Sequence, residues 1–424
     1  MRTTRWWLLR IVFLLCILIL LSILSKLPRL STVVRPQPSL LPLTSVTSDM
    51  LVYAVMNADR QISVMRFDPQ LGISTLIVAQ AATLDFSMSA NGRLAYTLML
   101  NGKRQIYVLD TLATTTTPIL VSADPLTDVT PLAWSPDGRL LAFESEADDR
   151  SKWINVWDGK NVSNVTPRGF DDIYKSFGSV SWSYDNWLTF VMDLTVPHPD
   201  HADDGEVYIW DGTTTKDLSQ DSLSRDGSPR WSADGRLAFS TARNSVQRIL
   251  VWDGVSYQDD LPNVSTFSVV PRASSNFGSE PVWTNAGQLA FMDGHDEDSH
   301  IQIYLWDGDS ITNISQNPDA NNGDATWSSD GKWAFATFFT VEQQLLYVRD
   351  ANNQTILTVD GGFQPGVKAP AWSSAGYLAY CSVDRNGKVL NVWDGQRLRK
   401  IAHGRTIFAQ WASADSITTR CWDG

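Results

Sequence analysis

The residues of this chain whose types and spacing could do chemistry lie in two histidine-containing acidic stretches and in a pair of arginine-phenylalanine recurrences. His198-Pro-Asp-His-Ala-Asp-Asp-Gly-Glu206 and Asp293-Gly-His-Asp-Glu-Asp-Ser-His300 set imidazoles among carboxylates, and Glu144, Glu146, Asp148 and Asp149 form a third acidic run. Hard oxygen ligands suit Ca²⁺ and imidazoles suit Zn²⁺, so a metal-assisted hydrolase or lyase is one reading. No spacing matches a metal-binding loop, and solvated loop tips are the preferred reading. The chain has no Gly-x-Ser-x-Gly elbow, no His-Glu-x-x-His helix and no phosphate-binding glycine loop, so no catalytic residue, metal or cofactor is assigned. The second recurrence is Pro167-Arg168 followed by Phe177-Gly178-Ser179, and Pro271-Arg272 followed by Phe277-Gly278-Ser279. Arg168, Phe177, Arg272 and Phe277 are candidate ligands for an anionic or aromatic group. The plainer alternative is that Gly-Ser shapes the chain and phenylalanine fills a gap.

The elements that position these residues come from a repeat. Trp-Ser-x-Asp-Gly-x-Leu-Ala-Phe recurs from Trp134, Trp182, Trp231, Trp283, Trp327 and Trp372, with a Phe86 version before and a Trp411 version after, 39 to 52 residues apart. That period matches propeller blades of ~40 to 50 residues. Within one unit, 131–134, 140–144, 154–157 and 162–166 are short β-rich runs, and Asp-Gly at 137–138 and 158–159 makes tight hairpins of strands one to two and three to four. Both hairpins fall on one side of the sheet. The joints from strand two to three and from blade to blade fall on the other, where long irregular loops are expected to carry function. The acidic runs and the arginine-phenylalanine pairs belong to that side.

A four-stranded blade cannot cover both its faces, so blades stack around an axis with the repeated tryptophans between them. Residues 50–56, 62–67 and 75–79 supply strands two, three and four without a first, and 406–411 supplies a first strand with only a stub behind it. Joining them gives an all-β propeller of eight blades, one of them composite; seven is the alternative.

The stretches Trp134-Ser-Pro-Asp-Gly-Arg-Leu-Leu-Ala-Phe143 and Trp231-Ser-Ala-Asp-Gly-Arg-Leu-Ala-Phe239 resemble TolB-type propeller repeats and the propeller domains of dipeptidyl-peptidase and prolyl-oligopeptidase relatives. The resemblance covers about residues 50–424. It implies the fold and a role as binding scaffold, substrate gate or enzyme platform. Against that family the sequence reads as having an anchor in place of TolB's separate N-terminal α/β domain, and no hydrolase domain is expected after the repeats. WD40 repeats resemble these less, because the Gly-His partner dipeptide occurs only at 294–295.

Residues 1–48 hold six basic side chains and no acid, so the rest of the chain is near −18 against an overall −12. Such an acidic domain repels phosphate backbones, which excludes nucleic acid as a partner. Ile11 to Leu24 is almost free of polar atoms, and Trp6 to Leu9 extends the apolar run if Arg10 snorkels. The preferred reading of 1–27 is an uncleaved transmembrane helix, followed by a Pro/Ser/Thr-rich linker at 28–48 and the propeller at 49–424. Cleavage after Ser25, giving a secreted or periplasmic chain, is the alternative. Basic residues at the amino terminus orient the propeller outward. Cys16, Cys381 and Cys421 cannot form a disulfide framework, and free thiols are expected at 381 and 421, with a bridge between them left open. Asn-x-Ser/Thr at Asn164 and Asn313 falls near fourth-strand positions and reads as repeat chemistry. The expectation is a non-enzymatic, membrane-tethered extracytoplasmic propeller that binds a protein, peptide or glycan.

Overall fold

The structure, a computed structural model, describes residues 49–421 except 113–116, 123, 125, 168–174, 195–204, 220–223, 244–245, 255–256, 259–260, 263–267, 270–279, 295–299, 340–343, 361–369, 385–386 and 413–417. The expected helix at 1–27 and linker at 28–48 lie outside the described residues. Among the described residues no helix is long and apolar enough to cross a membrane.

Seven four-stranded antiparallel sheets follow one another along the chain, and we number them blades 1 to 7: 86–120, 127–164, 175–217, 225–269, 282–313, 321–360 and 371–404. Blade 8 is composite, with the order Ile73–Ala79, Ile62–Asp68, Leu51–Met56, Thr406–Trp411, Thr418–Cys421. The two ends of the chain meet in its middle, where Leu51 pairs Trp411 and the register runs unbroken to Met56 and Thr406. Eight blades, one composite, is therefore the architecture.

Burial explains the repeat. Each blade has a neighbour on both faces, so second strands read as continuous apolar runs rather than alternating ones. Leu141-Ala142-Phe143, Leu237-Ala238-Phe239 and Leu289-Ala290-Phe291 are all buried. Fourth strands form the outer rim, and Val162–Asn164 is exposed throughout. The serine after the tryptophan, in blade 5 a threonine, is buried as well in blades 2 to 7: Ser135 Oγ accepts the Leu140 N–H at 3.0 Å and donates to Asp137 Oδ1 at 2.7 Å. Gly138 follows at φ 67°, and a Cβ there would strike the Asn91 side chain of the preceding blade. Only glycine meets both demands.

The tryptophans clamp blade to blade. The indole N–H of Trp134 donates to Ser87 O, Trp182 to Ala133 O, Trp283 to Arg230 O, Trp372 to Thr326 O and Trp411 to Ala371 O, at 2.9 to 3.3 Å. Each acceptor is the carbonyl just before the aromatic position of the previous blade. Trp231 reaches the same carbonyl through a relay, donating to Thr189 Oγ1, which donates to Ser181 O.

That register corrects the first repeat. Met88, not Phe86, stands at the tryptophan position, since Met88 pairs Leu94 as Trp134 pairs Leu141. Having no indole, this position is served from the other side of the seam: Gln410 Oε1 accepts the Met88 N–H at 3.0 Å and Gln410 Nε2 faces Met88 O at 3.5 Å. Phe86 instead packs edge-on against Phe408 across the same seam.

Two further expectations change. The stub after Trp411 is a fifth strand, Thr418–Cys421, paired with Thr406–Trp411 on the side away from Leu51–Met56. It brings Cys421 to Cys381 in the second strand of blade 7, and the two form a buried disulfide with Cα atoms 5.7 Å apart. The expected free thiols at 381 and 421 are therefore bridged, and the fold does not stand on packing alone. Nor are all the joints from strand two to three long. Leu100 pairs Lys103 across Asn101-Gly102, Arg243 pairs Val246, and Asp384 pairs Gly387, so blades 1, 4 and 7 turn in two residues. In blade 2, Ala147 N bonds Ser151 O across a five-residue turn.

Candidate functional site

The tight-turn side of the ring is occupied by its own hydrogen bonds. Arg93 donates to Gly138 O of the next blade, Asn186 to Asp137, Arg236 to Gly287 O, Asn285 to Ser328 O and Ser329 to Ser374 O. Asp49 closes the series by accepting from Ala375 N at 2.9 Å and Ser374 Oγ at 3.2 Å. The Trp-Asp-Gly turns are equally self-contained. Asp158, Asp211, Asp307 and Asp394 each accept two backbone N–H groups of their own turn. Burial works to raise the Asp211 carboxyl, yet the donors of Thr213 and Thr214 outweigh it and hold it at about 2. These aspartates maintain the turns.

The opposite side carries the charged residues singled out by the sequence. Around blades 1 and 2 the acidic run is paired with cations. Lys152 Nζ lies 2.7 Å from Glu144 and 3.5 Å from Glu146, while Lys103 bonds Asp148 and lies 3.5 Å from Asp128. Arg104 donates from Nε at 3.1 Å and from its backbone N–H at 2.8 Å to the other carboxylate oxygen of Asp128, Oδ1. Burial would raise the Asp128 carboxyl, but the Arg104 bonds and Lys103 hold it below the usual carboxylate range. Lys103 comes from blade 1 and Asp148 from blade 2, so the network ties adjacent blades. Asp149 caps the Ser151 N–H at 2.9 Å. Among the described residues no cluster of three or more His, Cys, Asp or Glu side chains is placed to hold a metal ion.

The two histidine stretches fall mostly at 195–204 and 295–299, outside the described residues. Their flanks are visible. Glu206 accepts from the Ser219 hydroxyl, which also accepts the Val207 N–H. Asp293 is buried at the end of the second strand of blade 5.

Of the four candidate ligands, Arg168, Arg272 and Phe277 lie outside the described residues. Phe177 is described, and its half-buried ring packs edge-on against Phe190 in the core of blade 3. The next residues form a β-bulge between Phe177 and Val180. First strands bulge one residue nearer the tryptophan in blades 4 and 6, after Gly227 and Gly323, where Ser228 and Asp324 adopt φ of 50° and 53°. Gly178-Ser179 thus belongs to a recurring bend in the innermost strand.

Sequence reasoning missed a device that shapes this side. Gln105, in the third strand of blade 1, donates to Asp124 O and Thr127 O and accepts from the Ser122 hydroxyl. Gln302 in blade 5 repeats it, donating to Asn317 O and Ala320 O and accepting from Ser315. Each buried amide folds the joint to the next blade back onto the ring. The hydroxyl partner had a signal in the sequence: Ser315 ends the Asn313 sequon and Thr166 ends that of Asn164, and they accept the Ile303 and Ile154 N–H groups. Those sequons do repeat chemistry, as expected.

No protein-family profile matches the chain, and no curated protein does. Solved structures do. Dipeptidyl peptidase 4 from Porphyromonas gingivalis matches with TM-score 0.55 and 15% identity over 83% of this chain and 58% of its own. Prolyl oligopeptidase B from Galerina marginata matches with TM-score 0.53 and 11% identity over 77% and 55%. TolB from Acinetobacter baumannii also matches, at TM-score 0.40 and 15% identity over 86% and 77%. The chain spans little more than half the length of the two peptidases. At these identities the two peptidase likenesses show the fold alone, the propeller expected from the repeat, and at its TM-score TolB adds nothing to that.

Proposed function

We propose that this propeller is a membrane-tethered, extracytoplasmic binding scaffold that takes a protein, peptide or glycan through the side bearing its joints from strand two to three. The observation that carries this reading is the asymmetry of the ring. The tight-turn side uses its polar groups in blade-to-blade bonds all round the ring, whereas the other side, beyond the Lys103–Asp148 tie, holds the longest of the strand two-to-three joints, those of blades 3 and 5, on a rigid frame. The disulfide supports an oxidising compartment. The lysine-paired carboxylates of blade 2 favour a scaffold over a metal-assisted hydrolase or lyase. A partner with a cationic surface suits the net charge of the domain.

The test shortens residues 195–204 and 295–299 to two-residue Asn-Gly turns, separately and together, in the full chain. The expected result is loss of the copurifying partner at an unchanged melting temperature. Retention of the partner by the doubly shortened chain would refute the proposal.

A further inference from the structure

We infer that the outer rim of blades 8 and 1 is a lipid-facing surface, lying against the headgroup layer of the bilayer into which the N-terminal segment inserts. The inference rests on the tethering proposed above and adds which sector of the ring meets the membrane. Thirteen large apolar side chains are exposed among the described residues, and nine of them fall between Leu71 and Leu126. Six of those nine sit on the rim. In blade 8, Leu71 is 71% exposed, Ile73 56% and Leu76 54%; in blade 1, Leu112, Ile119 and Leu120 are exposed beside them. The outermost strand of blade 8, Ile73–Ala79, contains no charged residue. An edge strand normally carries lysine or another charge to discourage pairing. The outer strands of other blades are more polar: Thr215-Lys216-Asp217 in blade 3, and Leu398–Gly404 in blade 7 with Arg399 and Lys400.

Charge divides along the same line. Residues 49–122, which form the outer three strands of blade 8 and all of blade 1, carry five acidic and five basic side chains. Residues 123–424 carry the whole net charge of −18. Charged groups lose hydration when pressed against a bilayer, so the neutral, aliphatic sector is the approach of least electrostatic cost. The sector also adjoins the point where the chain leaves for its basic, apolar amino terminus, because Asp49 is fixed on the turn of blade 7 immediately before Leu51 opens its strand of blade 8. Aliphatic side chains on a neutral surface next to an anchor suit shallow contact with the headgroup and acyl boundary. A patch of this kind on a single chain otherwise marks a protein interface, and a second copy of the chain is the competing occupant.

The experiment places a photo-crosslinking amino acid at Ile73, Leu76 or Thr312 in the full chain, reconstituted in phosphatidylcholine vesicles containing alkyne-tagged phosphatidylcholine. Thr312 is the control, exposed on the outer strand of blade 5 across the ring. Positions 73 and 76 are expected to give about tenfold more lipid adduct than position 312. The Ile73→Glu/Leu76→Glu variant, altered only at exposed sites, should still float with the vesicles but lose adduct formation from a crosslinker at Leu71. Equal adducts at all positions, or dimer-sized adducts from 73 and 76, overturn the inference while leaving the tether intact. A full chain that fails to float with vesicles overturns both.

Discussion

Breaking the Cys381–Cys421 bridge gives the sharpest energetic consequence of how the ring is closed. The bridge links residues 40 apart, joining the fifth strand of blade 8 to the second strand of blade 7. Closing a loop of that length in the unfolded chain is worth about 4 kcal/mol in the chain-entropy account. A domain this long has an unfolding entropy of roughly 0.8 kcal/mol/K, so the Cys381→Ala/Cys421→Ala variant should melt about 5 °C lower than the parent. Both sulfurs are buried in the shared core of blades 7 and 8, so the lost packing acts in the same direction. The assay is thermal unfolding followed by circular dichroism, with and without reductant. The parent should lose the same interval on reduction and the variant should not respond. Thiol titration of the denatured, unreduced parent should find one thiol, that of Cys16. Three titratable thiols, or a variant that melts with the parent, would refute the account of this closure.

Three other outcomes follow from the clamps and turns. Trp134→Ala removes a fully buried ring between blades 1 and 2 and should destabilise by ~3 to 5 kcal/mol in urea unfolding; Trp134→Phe, which loses mainly the bond to Ser87 O, should cost about 1 kcal/mol, and equal costs would contradict the placement. Gln410→Leu leaves the Met88 N–H buried and unpaired, which costs ~1 to 3 kcal/mol and should speed hydrogen exchange at Met88 before other sites; unchanged exchange there would discount the seam. Acid should weaken the turns together. Asp137, Asp158, Asp211, Asp234, Asp307, Asp330 and Asp394 all have depressed carboxyl pKa values, so their stabilisation is complete above the ordinary value of 3.8 and is lost as pH falls towards 2. A urea midpoint unchanged between pH 4.5 and 2.5 would contradict this.

The fold was legible because its determinants repeat. An inter-blade Trp, a buried Ser or Thr after it and an apolar second strand recur around most of the ring, with a positive φ at Gly92, Gly138, Asn186, Gly235, Gly287, Gly331 and Gly376 in blades 1 to 7, and even the composite blade showed as strands missing from one end and present at the other. In blade 1 aromatic character points two residues away from the site that register sets: Met88 fills the tryptophan site while Phe86 packs across the seam. A short joint was readable too, from Asn101-Gly102, a hairpin turn pair. What the sequence could not show is contact between blades. Lys103 neutralises Asp148 across a blade boundary, and Cys421 meets Cys381 only because a fifth strand turns back beside Thr406–Trp411. Asp148 looked like part of a ligand set for the same reason, since its partner Lys103 belongs to the preceding blade, whereas Glu144 and Glu146 are paired by Lys152 of their own blade.

The most direct test of the division between a structural side and a binding side is photo-crosslinking in cells that make the full chain. Crosslinkers replace Arg150 and Glu280, exposed on the side of the strand two-to-three joints, and Lys160 and Asp309, exposed on the tight-turn side. A discrete partner adduct from 150 or 280, with none from 160 or 309, is the predicted result. An adduct from 160 or 309 with 150 and 280 silent would contradict the account.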